Sequence, residues 1–168
     1  MHDDLIALAE QLGQQLYKAG HLLALAESCT GGWIAQSITE IAGSSAWFDR
    51  GFVTYSNAAK ITMLGVSQNT LQQYGAVSSQ TACEMVAGAL EHSDADIALA
   101  VTGIAGPGGG TIEKPVGLVF IAWQLRGHPC RCLEQHLVGG RHAIRRQTVQ
   151  KALRCLLGAY EPANMPDT

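Results

Sequence analysis

Ala26-Glu27-Ser28-Cys29-Thr30-Gly31-Gly32 lies between a short apolar run and a helical pattern, so Ser28 falls on a strand-to-helix turn. Glycines let a ligand approach the backbone closely, and free amides in a helix's first turn attract anions. The same amides, here those of Thr30, Gly31 and Gly32, could hold a developing oxyanion. Ser28 or Thr30 could also simply cap the helix. A serine nucleophile needs a base, and a tyrosinate or a neutral lysine can serve once its surroundings perturb it. Tyr55, at a strand end, and Lys60, about one helical turn further on, could reach a common point; both are equally compatible with a solvated surface.

Three further groups of residues carry possible chemistry. The densest glycine stretch, Thr102-Gly103-Ile104-Ala105-Gly106-Pro107-Gly108-Gly109-Gly110, matches neither the dinucleotide nor the phosphate-loop pattern, and no helix follows it. Thr102, Gly103 and Gly106 are candidate ligand contacts there, unless the loop is a flexible hairpin or lid. Arg141 and Arg145 share one face at the start of the last helix, where cations oppose the helix dipole, which points to an anionic partner such as a phosphate or carboxylate. Both could also be ordinary surface residues. Arg146, roughly 100° round the helix, is expected to be solvated. His128, Cys130, Cys132 and His136 fit no familiar zinc spacing, although Cys130 and Cys132 share a strand face. Packing is the expected role for these residues and for Cys29.

Elements must bring these residues together. Leu5, Leu8, Leu12 and Leu16 recur at helical spacing over residues 3–19, with Asp3 or Asp4 as cap and Gly20 as stop. Strands are expected at 22–26, 51–55, 96–101 and 116–125, with 130–138 as a hairpin partner. Helices are expected at 30–41, 57–64, 67–74, from Ser78 or Ser79 to about 90, and from 141 to 157. Alternating strands and helices predict a three-layer α/β/α fold, and the hairpin makes its sheet mixed, mostly parallel. Ligands in such sheets bind beyond the carboxyl ends of strands, and segments 26–32, 55–60 and 102–110 converge there if their strands are parallel neighbours.

The 168 residues suffice for one domain over 1–160, with a disordered tail at 161–168. Hydrophobic residues make up 47% and charged residues 15%, and the net charge of −3 argues against nucleic acid as a partner. No apolar run reaches the roughly 18 residues that span a bilayer, so no membrane partner is expected. The acidic start does not read as a secretory signal, and five cysteines do not read as a disulfide framework. A cytoplasmic protein is expected.

Ala26 to Gly32, Gly51-Phe52-Val53-Thr54-Tyr55-Ser56-Asn57, Thr102 to Pro107 and Lys114-Pro115-Val116-Gly117 stand in the order found in the CinA C-terminal domain family. The chain resembles that family over about residues 5–158, most of all its stand-alone bacterial nicotinamide-nucleotide amidases. The likeness does not extend to the separate, molybdopterin-binding-like N-terminal domain of two-domain members. It implies the α/β/α fold and hydrolysis of nicotinamide mononucleotide to nicotinate mononucleotide and ammonia, a step of pyridine-nucleotide recycling. It implies Ser28 as nucleophile, with Tyr55 and Lys60 managing the proton in either order, and no metal or cofactor. A small-molecule nucleotide is the expected partner, and a homo-oligomer, taken as a dimer, the expected assembly. The alternatives are a non-catalytic nucleotide-binding or regulatory module, since the family name also carries competence and DNA damage, and an amidase for another small amide. Ammonia release from nicotinamide mononucleotide, nicotinamide riboside and nicotinamide separates them. Turnover of the nucleotide alone is expected, and turnover of none would remove the enzyme.

Overall fold

The apolar residues of each buried strand sort by size onto two faces, and this sorting builds the layers. In β1 (Leu23–Glu27) and β3 (Ile97–Gly103), Leu23, Leu25, Ile97, Leu99 and Val101 point into one core, whereas Ala24, Ala26, Ala98 and Ala100 point into the other. The large side chains meet α1 (Asp3–Ala19), α2 (Trp33–Thr39) and α6 (Arg141–Ala159). The alanine face is covered by α3 (Asn57–Leu64) and α5 (Ser79–Glu91), with α4 (Gln68–Tyr74) outside them. The result is the expected α/β/α fold. The computed structural model describes residues 3–161 and 164, and the remainder of the expected tail lies outside the described residues, as does the side chain of Asp3.

The sheet runs β2-β1-β3-β4-β5, where β2 is Phe48–Val53, β4 is Leu118–Leu125 and β5 is Arg131–His136. β1 is parallel to both β2 and β3, while β4 and β5 return antiparallel. The three parallel strands are therefore neighbours, and the segments after Glu27, Val53 and Gly103 leave the same edge of the sheet. Among the described residues, no helix is long and apolar enough to cross a membrane.

Most departures from the expected boundaries have a backbone cause. Gly31 and Gly32 adopt φ of +61° and +96°, so the helix expected from residue 30 starts only at Trp33. β2 begins three residues before Gly51, because Phe48 and Arg50 already pair with β1 at a sheet edge that tolerates the polar pair Asp49-Arg50. Arg146 is not simply solvated: it forms an ion pair with Asp4 that ties α1 to α6. Ser67 and Ser78 cap α4 and α5, accepting from Thr70 N and Thr81 N. Neither Ser28 nor Thr30 caps α2 with its side chain; a carboxylate does, as described below.

α5 approaches α3 through Gly88, where an added Cβ would stand 1.9 Å from the Leu64 carbonyl oxygen. Gly88→Ala gains about 1 kcal/mol of helix propensity, but overpacking against fixed backbone costs about 1–3 kcal/mol or more. With the clash against backbone, the upper end of that cost applies, so a net loss of about 2 kcal/mol is expected in urea denaturation, and an unchanged or raised midpoint would show that α5 can shift away.

Candidate active site

β1 ends by placing a carboxylate where a helix begins. Glu27 is 1% exposed and accepts from Thr30 Oγ1 at 2.5 Å, Gly32 N at 3.1 Å, Ile34 N at 3.1 Å and Ala35 N at 2.8 Å. Four donors at a helix N-terminus, where the helix dipole also favours negative charge, make this burial tolerable. Of the amides expected to meet a substrate, Gly32 N is taken by Glu27 and Gly31 N donates to Ser28 O at 3.1 Å; motif reading did not single out Glu27.

Ser28 follows directly and is held between both neighbouring strands. Its amide donates to Val101 O of β3 at 3.1 Å, while Glu27 O accepts from Thr54 N, just beyond β2, at 2.8 Å. Across the turn, Lys60 is 1% exposed, with Nζ 3.0 Å from Ser28 Oγ and 2.9 Å from Thr54 O. Burial with no carboxylate partner pushes the Lys60 pKa down, since desolvation disfavours the ammonium. The Ser56 cap on Ala59 N and the buried Leu64 hold α3 in place around it. Cys29, beside the serine, is buried, and desolvation raises its thiol to about 12, which makes it inert.

Ser28 and Lys60 share a cleft of about 260 Å³ with Tyr55, Asn57, Ala76, Val77, Thr102, Gly103 and Arg141. No carboxylate lines it, so its charged side chains are both basic. Tyr55 is 63% exposed and stands at the rim, its hydroxyl accepting from Arg141 Nη2 at 3.1 Å. Arg141 Nη1 donates to Gly106 O at 2.9 Å, which brings the glycine-rich loop to the cleft. Thr102 donates to Ala76 O at 2.8 Å and so fixes the Ala76-Val77 wall. Gly103 is explained by β4, since a Cβ there would lie 2.6 Å from Val119 Cγ2. Asn57, at the start of α3, joins the cleft although its helix-start position gave no separate signal.

The two helix-face arginines part company. Arg145 donates through Nε to Cys29 O at 3.1 Å and through Nη2 to Thr30 O at 2.9 Å, and its guanidinium lies 5.4 Å from the centroid of the Trp33 ring. With Thr30, Gly31 and Gly32 it lines a separate hollow of about 320 Å³ rather than the Ser28 cleft. Arg145 is thus occupied by backbone carbonyls, and the Thr30 hydroxyl and Gly32 amide by Glu27, so these groups are not gathered with Arg141 around Ser28. Among the described residues, the amides of Cys29 and Thr30 donate to no oxygen acceptor, and no group of three or more His, Cys, Asp and Glu side chains is placed to hold a metal ion.

A neutral amine 3.0 Å from a serine hydroxyl can take its proton. Any reaction that uses this transfer should quicken about tenfold per pH unit below the depressed Lys60 pKa and level off above it. Lys60→Arg, which keeps the charge but cannot be deprotonated, should lose that limb together with the activity. A pH–rate profile of kcat/KM checks both, and an active arginine variant would exclude Lys60 as base.

Known proteins show the same arrangement of chain. Residues 5–160 match the CinA C-terminal domain. The nicotinamide-nucleotide amidohydrolase PncC of Escherichia coli K12 is 51% identical over 153 residues, covering 91% of this chain and 93% of that one. Its namesake in Enterobacter agglomerans is 52% identical over 151 residues, covering 88% and 92%. The crystal structure of the competence/damage inducible protein CihA from Agrobacterium tumefaciens superposes with a TM-score of 0.92 at 51% identity, over 94% of this chain and 96% of that one. With matched residues spanning every strand and the whole Ser28–Lys60 cleft, the chain belongs to the CinA C-terminal domain family.

Proposed function

We infer that this chain hydrolyses the carboxamide of a nicotinamide nucleotide, with Ser28 as nucleophile and Lys60 as its base. The activity rests on relatives about half identical along nearly their whole length that carry the name nicotinamide-nucleotide amidohydrolase. The observation that carries the residue assignment is the buried Ser28 Oγ–Lys60 Nζ contact in a cleft lined by basic but no acidic side chains.

In this reading neutral Lys60 accepts the Ser28 proton as Oγ attacks the carboxamide carbon. The lysine then gives that proton to the departing nitrogen, which leaves as ammonia, and a nicotinate ester remains on Ser28. Lys60 next deprotonates a water that attacks the ester carbon, and the proton returns to Ser28 as nicotinate nucleotide departs. A lysine base replaces the histidine of other serine hydrolases. Tyr55, expected to share the proton with Lys60, is hydrogen-bonded to Arg141 and not to Ser28, which supports a place on the substrate side of the cleft.

The oxyanion is held by the Thr30 amide, with that of Cys29 beside it. In a trans peptide the carbonyl and the following N–H point in opposite directions. Arg145 holds Cys29 O, so it turns Thr30 N–H to the other side of the peptide. Arg145 is then a positioning residue, while Arg141, at the rim with Tyr55 and Asn57, faces the phosphate.

The two arginines should therefore fail differently. Arg141→Ala should raise KM about tenfold or more for the nucleotide and little for its riboside. Arg145→Gln should lower kcat about 10–100-fold for both with KM nearly unchanged, a part of the 10²–10³ that an oxyanion donor is worth. Ser28→Ala should abolish turnover and leave fold and nucleotide binding intact. Near-wild-type turnover by Ser28→Ala would remove the nucleophile, and an Arg145 effect confined to KM would return it to substrate binding.

A further inference from the structure

Three of the five cysteines meet on the alanine face of the sheet, away from the chemistry of Ser28. Directly opposed residues of an antiparallel pair point to the same side. Cys132 of β5 is opposite Ala122 of β4, which is buried beneath α5, so Cys132 and Cys130, two residues earlier, face that side. Cys83 of α5 and Cys130 pack against this same buried cluster. α5 packs directly on β4 and β5, which sets the Cys83 side chain beside both strand thiols. None of the three lines the Ser28 cleft, and no metal-holding group includes them.

We propose that Cys83, Cys130 and Cys132 form a thiol–disulfide exchange site, in which Cys83 takes up a low-molecular-weight disulfide and Cys130 or Cys132 closes an intrachain bond between α5 and β5. Cys83 is the attacking sulfur because it is the one member of the trio that both others neighbour, so either strand thiol can resolve a mixed disulfide on it, and the same neighbours favour its thiolate. The Cys83 thiolate attacks one sulfur of oxidised glutathione and expels a glutathione thiolate. Cys130 or Cys132 then loses its proton and attacks Cys83 Sγ, expelling the second glutathione thiolate. Two protein thiols and one glutathione disulfide thus become one protein disulfide and two glutathione thiols. Cys29 is shielded by burial, and Cys155 packs on the opposite face of the sheet, its thiol raised to about 11 by desolvation. Only the trio combines proximity with access, since Cys83 and Cys130 are half-buried beside the exposed Cys132.

The test treats the folded full chain with oxidised glutathione at neutral pH, then counts thiols in denaturant and maps peptides. Loss of two of the five thiols, with a bond from Cys83 to Cys130 or Cys132 within one chain, is expected. Cys130→Ser or Cys132→Ser alone should still close a bond, whereas the double replacement should stop at a mixed glutathione disulfide on Cys83. Cys83→Ser should form neither that adduct nor the bond to α5. Retention of all five thiols, a bond involving Cys29 or Cys155, or only bonds between chains would overturn the proposal. Cys130 and Cys132 pairing with each other while Cys83 stays free would overturn it too.

Discussion

Everything at the working end of this molecule hangs on a carboxylate that cannot reach water. Glu27 ends the buried strand β1, and its oxygens take one hydroxyl and three peptide donors from the start of α2. An unmet buried donor costs about 1–3 kcal/mol, so four of them without the carboxylate would amount to a large share of a small domain's stability. The tie also sets geometry. It draws the chain back over itself between strand and helix, and Ser28 is pushed out at the bend. Because Glu27 takes the amides of Gly32, Ile34 and Ala35, these are not free to meet negative charge on a ligand.

A second layer of the design lies in the plain asymmetry of the sheet. Bulky residues on one face give depth to the core beneath α1, α2 and α6, and alanines on the other let α5 come close. Ser28 is held to β3 through its own amide and to the chain just beyond β2 through Glu27, so it moves only if the centre of the sheet does. The antiparallel return of β4 brings Val119 against Gly103 and closes the third side of the cleft.

Ser28 and the convergence of three strand ends were legible because strand-to-helix turns and the β-α alternation leave local patterns, whereas Tyr55 and Lys60 stood out only through the family resemblance. The burial of Lys60 was not legible: a lysine letter in an amphipathic stretch reads as solvent-facing, and only the path of α3 turns it inward. Glu27 was hidden for the same reason, since an inward and an outward carboxylate are written alike. Arg141 and Arg145 share a helix face in sequence, yet one turn of helix carries them to opposite sides of the Ser28 turn. Cys83 gave no signal towards Cys130, because their meeting depends on which strand α5 covers.

Lys60 stands on thin support. α3 buries only Lys60 and Leu64 among its own side chains, and α4 beyond it buries none. Lys60 therefore both meets Ser28 Oγ and pins the helix that carries it, through Thr54 O. Heat or denaturant that loosened this outer layer would separate Lys60 from Ser28 while the sheet and its deeper core stayed whole. Thermal inactivation of such a protein would report the fraying of one short helix, and would come before the melting of the fold.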